Sequence, residues 1–120
     1  MLFRVDPSKD VPLSAQIAAC VRRAVADGSM RPGDRLPPAR ELAGSLGVSI
    51  HTVLAGYQQV RDEGLIDLRR SRGATIRQDV NPDQAALTIL VRQLVETANR
   101  MNLTDDELAA MIQAARTHDH

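Results

Sequence analysis

Between residues 28 and 73 the chain is interrupted five times, at Gly28, at the stretch MRPGDRLPP, at Gly47, at Gly64 and at Gly73, so no element here can outrun the gap between neighbouring breaks. Each gap carries its own periodicity. In VPLSAQIAACVRRAVADGSM, Leu13, Ile17, Val21 and Val25 recur four residues apart, with Cys20 and Ala24 filling the stripe. That spacing predicts an amphipathic helix starting at Pro12 and stopped at Gly28. MRPGDRLPP, with three prolines and a glycine in nine residues, is expected to be an ordered turn. A short second helix follows, with Pro38 in its first turn, Leu42, Ala43 and Leu46 on one face, and Gly47 at its end. Ser49 suits the N-cap of a third helix over residues 50–63, whose Val53, Tyr57 and Val60 point inward. Two short helices joined by a tight glycine turn form a helix-turn-helix, which can present its second helix to a DNA groove.

After Gly64 the period becomes nearly alternating, in LIDLRR and ATIR around SRG, and predicts a two-stranded hairpin with a glycine at its tip. Arg69, Arg70, Arg72 and Arg77 lie on or beside it, and no acidic residue occurs from 68 to 78. The polar stretch QDVNPDQ, containing Pro82, reads as a short linker or hinge. Beyond it a fourth helix is expected to carry Leu87, Leu90 and Leu94 on one side, widened by Ile89, Val91 and Val95. A fifth helix opens with a capping box, Thr104 and Glu107, stapled by Leu103 and Leu108, and turns Leu108, Met111 and Ile112 inward. Two helices cannot bury faces this broad against each other, so the tail is expected to pack on a second copy of the chain. The fold class is therefore mostly α with a small β-hairpin wing: a reader domain over residues 1–80 and a two-helix dimerisation tail over residues 81–120.

Composition agrees and narrows the function. One Phe, one Tyr and no Trp leave a core of aliphatic residues. The single cysteine, Cys20, cannot form an internal disulfide and reads as an apolar filler of the first helix. No apolar run is long enough to cross a membrane and no signal peptide opens the chain, so a soluble cytoplasmic protein is expected. Net charge is zero, yet residues 1–80 hold 12 basic and 9 acidic side chains while residues 81–120 hold 3 and 6. The excess of positive charge thus falls on the predicted reader. No nucleophile elbow, phosphate loop, metal-ligand spacing or dinucleotide fingerprint occurs, so neither an enzyme nor a cofactor is expected. The terminal His118, Asp119 and His120 sit where fraying would prevent metal binding, and Asp105, Asp106 and Glu107 read as the acidic start of a helix.

PLSAQI, DGSMRPGDRLPPARELAGSLGVS, HTVLAGYQQVRDEGLI and SRGATI, spanning Pro12 to about Ile76, resemble the GntR family of bacterial transcription regulators. The resemblance implies a winged helix-turn-helix bound as a homodimer to palindromic double-stranded operator DNA. The short tail resembles the YtrA-like branch, in which such helices dimerise the protein. The family often has Ser and Glu where this chain has Pro38 and Ala39, Arg where it has Ile50, and Gly, Thr and Phe where it has Ser71, Ala74 and Thr75. Losing an arginine at position 50 removes a guanine contact worth roughly 1–3 kcal/mol of discrimination.

Base reading is then expected to fall to Arg40, a DNA-contact position of the family, and to Ser49, His51 and Thr52, with Ile50 against a thymine methyl. Arg72, beside Gly73 at the wing tip, is expected at a phosphate or in the minor groove. Arg35, Arg69 and Arg70 are expected at phosphates. A small-molecule effector would sit between the tail helices or at the hinge around Pro82. The expected function is a sequence-specific repressor; the alternative is a winged-helix module that regulates by docking on protein.

Overall fold

The left-handed turns fall where the glycines do. Gly47 closes the second helix at φ 69°, a conformation costly for any residue with a Cβ, and its N–H reaches the Ala43 carbonyl. The computed structural model describes residues 3–70 and 73–118. Its elements run α1 (Leu13–Ala26), α2 (Ala39–Leu46), α3 (Ile50–Asp62), β1 (Ile66–Arg69), β2 (Gly73–Ile76), α4 (Pro82–Arg100) and α5 (Asp105–His118). The mostly helical architecture with a two-stranded hairpin is the one the periodicity predicts.

The chain divides into two compact units, Met1–Ile89 and Leu90–His120. In the first, Ile17, Val21 and Val25 of α1 meet Val53, Tyr57 and Val60 of α3, with Leu42 and Ala43 of α2 closing one side. Gly56 lies on the inner stripe of α3, and a Cβ there would stand 2.8 Å from the Ser14 carbonyl oxygen and 2.9 Å from Ile17 Cγ2. Its absence permits the close approach of α1 and α3. The hairpin pairs Ile66 with Ile76, Asp67 with Thr75, Leu68 with Ala74 and Arg69 with Gly73. Its inner face, Ile66, Ala74 and Ile76, is buried in the same core.

Two sequence expectations are corrected. The proline-rich turn also supplies a short ribbon along the free edge of β2. The Gly33 N–H donates to the Ile76 carbonyl at 2.8 Å, the Ile76 N–H to Asp34 at 2.8 Å and the Leu36 N–H to Ala74 at 2.9 Å. Arg35 consequently bridges to Thr75. The hinge expected around Pro82 is instead the first turn of α4. Asn81 Oδ1 accepts the N–H of Asp83 at 2.9 Å and that of Gln84 at 3.4 Å, and Pro82 fits the first helical position, where no N–H is needed. Ala85, one turn on, is buried in the core of the first unit.

An interaction absent from the sequence reading fastens α1 to the end of α3. Arg22, only 2% exposed, donates Nε to Glu63 Oε1 and Nη2 to Oε2, both at 2.6 Å. In the second unit the capping box forms as expected: the Thr104 N–H donates to Glu107 Oε1 at 3.0 Å, and the Glu107 N–H to Thr104 Oγ1 at 3.2 Å. Hydrogen bonding from Thr104, chiefly from its backbone N–H, holds the Glu107 carboxyl below its usual pKa.

Arg22→Met keeps an apolar stem and removes the buried cation from beside Glu63. Because Glu63 retains 21% exposure, the loss in stability is expected toward the lower end of the ~3–5 kcal/mol that breaking a buried pair costs. Arg22→Met with Glu63→Leu is expected to recover part of that loss in urea denaturation. Equal losses for the single and double variants would contradict a coupled pair.

Candidate nucleic-acid interface

Helix α3 begins with a satisfied cap. Ser49 Oγ accepts the Thr52 N–H at 3.1 Å and lies 2.9 Å from Thr52 Oγ1, so both hydroxyls are oriented by the cap. Ser49 and His51 are exposed, while Thr52 and Ile50 are half-buried, Ile50 packing partly on the core. Other N–H groups of this first turn point out of the helix end, where the helix dipole favours negative charge. Arg40 is exposed in the first turn of α2. It forms no ion pair with Asp34, whose Oδ2 accepts the Arg31 N–H at 2.8 Å.

Alternation along the hairpin puts Asp67, Arg69 and Thr75 on the face opposite the core, with Arg35 beside Thr75 on the ribbon. Arg35, Arg69 and Arg70 are exposed, as is Gly73. Arg72 and its neighbour Ser71 lie outside the described residues, as do Asp119 and His120. Asp67 is an acid set within the basic wing, and its outward position was legible in the two-residue period. It stands 3.8 Å from Arg77 Nη1, while Asp79 takes Arg77 Nε at 2.8 Å and Nη2 at 2.9 Å. The hydrogen bonds to Asp79, and then the charges of Asp79 and Asp67, raise the pKa of the Arg77 guanidinium, and the hydrogen bonds from Arg77 lower that of Asp79.

The arginines are therefore unequal. Among the described residues Arg22, Arg61 and Arg77 are in ion pairs, whereas Arg35, Arg40, Arg69 and Arg70 are in none. Arg23 and Arg31 are also without an ion pair, so an unpaired charge alone marks nothing. What sets the four apart is their position on α2, the wing and its edge ribbon.

On the tail helices Leu87 is 55% exposed, Leu90 60%, Leu94 38%, Met111 57% and Ile112 46%, while Leu108 is half-buried. Among the described residues no helix is long and apolar enough to cross a membrane, and no group of three His, Cys, Asp or Glu side chains could hold a metal ion.

Comparison with known proteins places this architecture. Residues 13–76 match the family model described as bacterial regulatory proteins, gntR family. Over 88% of its length the chain is 33% identical to the HTH-type transcriptional regulator Rv1152 of Mycobacterium tuberculosis, covering 86% of that protein. It is 30% identical to the HTH-type transcriptional repressor YtrA of Bacillus subtilis, over 78% of this chain and 73% of the relative. Among solved structures it resembles YtrA from Sulfolobus acidocaldarius, a GntR-family transcription factor, with 33% identity and a TM-score of 0.61 over 79% of this chain and 99% of that one. The family model spans more than half of the chain and both relatives align over most of their length, and the chain accordingly belongs to the GntR family of DNA-binding, winged helix-turn-helix transcriptional regulators.

Proposed function

We propose that the chain is a homodimeric repressor that binds an inverted-repeat operator, with residues 1–80 reading DNA and residues 81–120 pairing two copies. The observation that carries this reading is the row of exposed apolar side chains on α4 and α5. Leu87, Leu90, Leu94, Met111 and Ile112 would stand in water on a lone chain, a pattern that marks an interface, and the half-buried Leu108 of α5 is assigned to it with them. A twofold axis through paired tails sets two α3 helices into major grooves about 10 base pairs apart, or at another spacing fixed by the tail. Repression is supported by the repressor name of the Bacillus relative. As a regulator of transcription the protein works in the cytoplasm, beside the chromosome.

In this reading Arg40, Ser49, His51 and Thr52 contact base edges, and the exposed part of Ile50 meets a thymine methyl. Arg72 and Gly73 bring the wing tip to phosphate or minor groove, and Arg35, Arg69 and Arg70 neutralise phosphates. A small-molecule effector that seats on the tail helices would act by changing the separation of the two readers.

The decisive experiment selects duplexes from a random pool with the purified protein at two salt concentrations. An enriched inverted repeat whose affinity falls steeply with salt is expected. No enrichment at either salt would favour the protein-docking module.

Arg40→Ala is expected to weaken binding to the enriched duplex by about 1–3 kcal/mol and to relax specificity at one position of each half-site. Arg116→Ala, which removes the same charge from α5, should leave the selected motif unchanged; identical motifs for both variants would remove Arg40 from the reading set.

Leu94→Asp is expected to raise the dimer dissociation constant by on the order of a hundredfold or more, because it sets a carboxylate in an apolar interface. Sedimentation showing an undisturbed dimer would place the interface elsewhere.

A further inference from the structure

Two consecutive prolines precede α2, and neither has a backbone N–H. Past Leu36, whose N–H is given to Ala74, the ribbon therefore cannot be held by donating hydrogen bonds until α2 begins. Its remaining polar handles are carbonyls. That of Pro38 starts the helical ladder, accepting the Leu42 N–H at 3.0 Å, while that of Pro37 lies outside the helix. The Tyr57 hydroxyl donates to this Pro37 carbonyl at 2.7 Å. Tyr57 is 1% exposed and belongs to α3. Burial pushes its phenol well above the ordinary tyrosine pKa, so the donor keeps its proton.

The consequence is a continuous connection. One end of the ribbon is bonded to β2 through Gly33, Asp34 and Leu36, and the other is bonded to α3 through Pro37. Arg40 lies two residues beyond the second proline. We infer that Tyr57 is a positioning residue for DNA reading: its hydroxyl fixes the ribbon and the start of α2 against α3, so that Arg40, the wing and the reader helix meet the duplex in one geometry. This rests on the DNA reading proposed above and adds to it a specificity-determining residue that touches no base.

A merely structural tyrosine would affect folding, whereas a positioning one affects discrimination. Wild type and Tyr57→Phe, both as full chains, are titrated against the enriched duplex and a random-sequence duplex of equal length. Tyr57→Phe is expected to bind the random duplex with wild-type affinity and salt dependence, and the enriched one about three- to tenfold more weakly, the effect of one neutral hydrogen bond. Arg40→Ala is expected to cost less in the Tyr57→Phe background than in wild type.

An unchanged ratio of the two affinities overturns the inference, as does an equal loss on both duplexes. Val60→Ala, which opens a cavity in the same helix without removing the hydroxyl, is expected to lower Tm while keeping the ratio. An equal fall in ratio for Val60→Ala would assign the effect to general destabilisation and also overturn the inference. Should Tyr57→Phe fail to fold, Pro37→Gly keeps the carbonyl but frees the ribbon's backbone; the same selective loss is expected, and a wild-type ratio overturns the inference. Failure of the DNA reading shows in the wild type, which would enrich no duplex, and the positioning role falls with it.

Discussion

The absence of a side chain at position 56 sets where the reader helix lies. With Ser14 and Ile17 of α1 closer to a hypothetical Cβ than real contacts allow, any larger residue would push α3 outward. Seated against α1, α3 buries Val53, Tyr57 and Val60 and leaves His51 exposed. The same seating brings Glu63 to Arg22 at one end and the Tyr57 hydroxyl to Pro37 along its length. Directional bonds then specify what apolar packing alone would leave adjustable.

The wing is held by a related arrangement. A two-stranded hairpin is marginal by itself, and this one gains a bonded neighbour on the β2 edge as well as an apolar face buried in the core. The edge ribbon is short and ends in prolines, which cannot extend the ladder toward another chain. The stretch that looks like a mere connection thus joins the hairpin to α2 and closes the exposed edge of β2.

What the sequence made legible was local. The three helices of the reader followed from four-residue spacing and from glycines at left-handed turns, and the caps at Ser49 and Thr104 from signatures only three residues long. What it hid depended on partners far away in the chain. Arg22 and Glu63 are 41 residues apart and Tyr57 and Pro37 are 20 apart, and no periodicity couples such positions. The ribbon was masked because prolines signal a turn regardless of the strand that lies alongside. Two features were within reach: Gly56 falls on the same inward stripe as Val53, Tyr57 and Val60, and Asn81 stands immediately before a proline, as an N-cap often does. Of the candidate interface, exposure at Arg40, His51, Arg69 and Arg70 is visible in the fold.

A zero net charge would seem to argue against a polyanionic partner, and the resolution lies in how the arginines are spent. Arg22 is committed to the core and Arg77 to two carboxylates, so neither contributes a free cation to the surface. Asp67 and Asp79 are likewise engaged by Arg77. Near α2 and the outer wing Arg35, Arg40, Arg69 and Arg70, whose charges have no ion-pair partner among the described residues, outnumber the neighbouring acids Asp34 and Glu41. Surface charges farther away than about 8–10 Å are screened at physiological salt, so the charges nearest a bound phosphate weigh more than the sum over the chain. Local compensation, and not the total, decides what a neutral chain can bind.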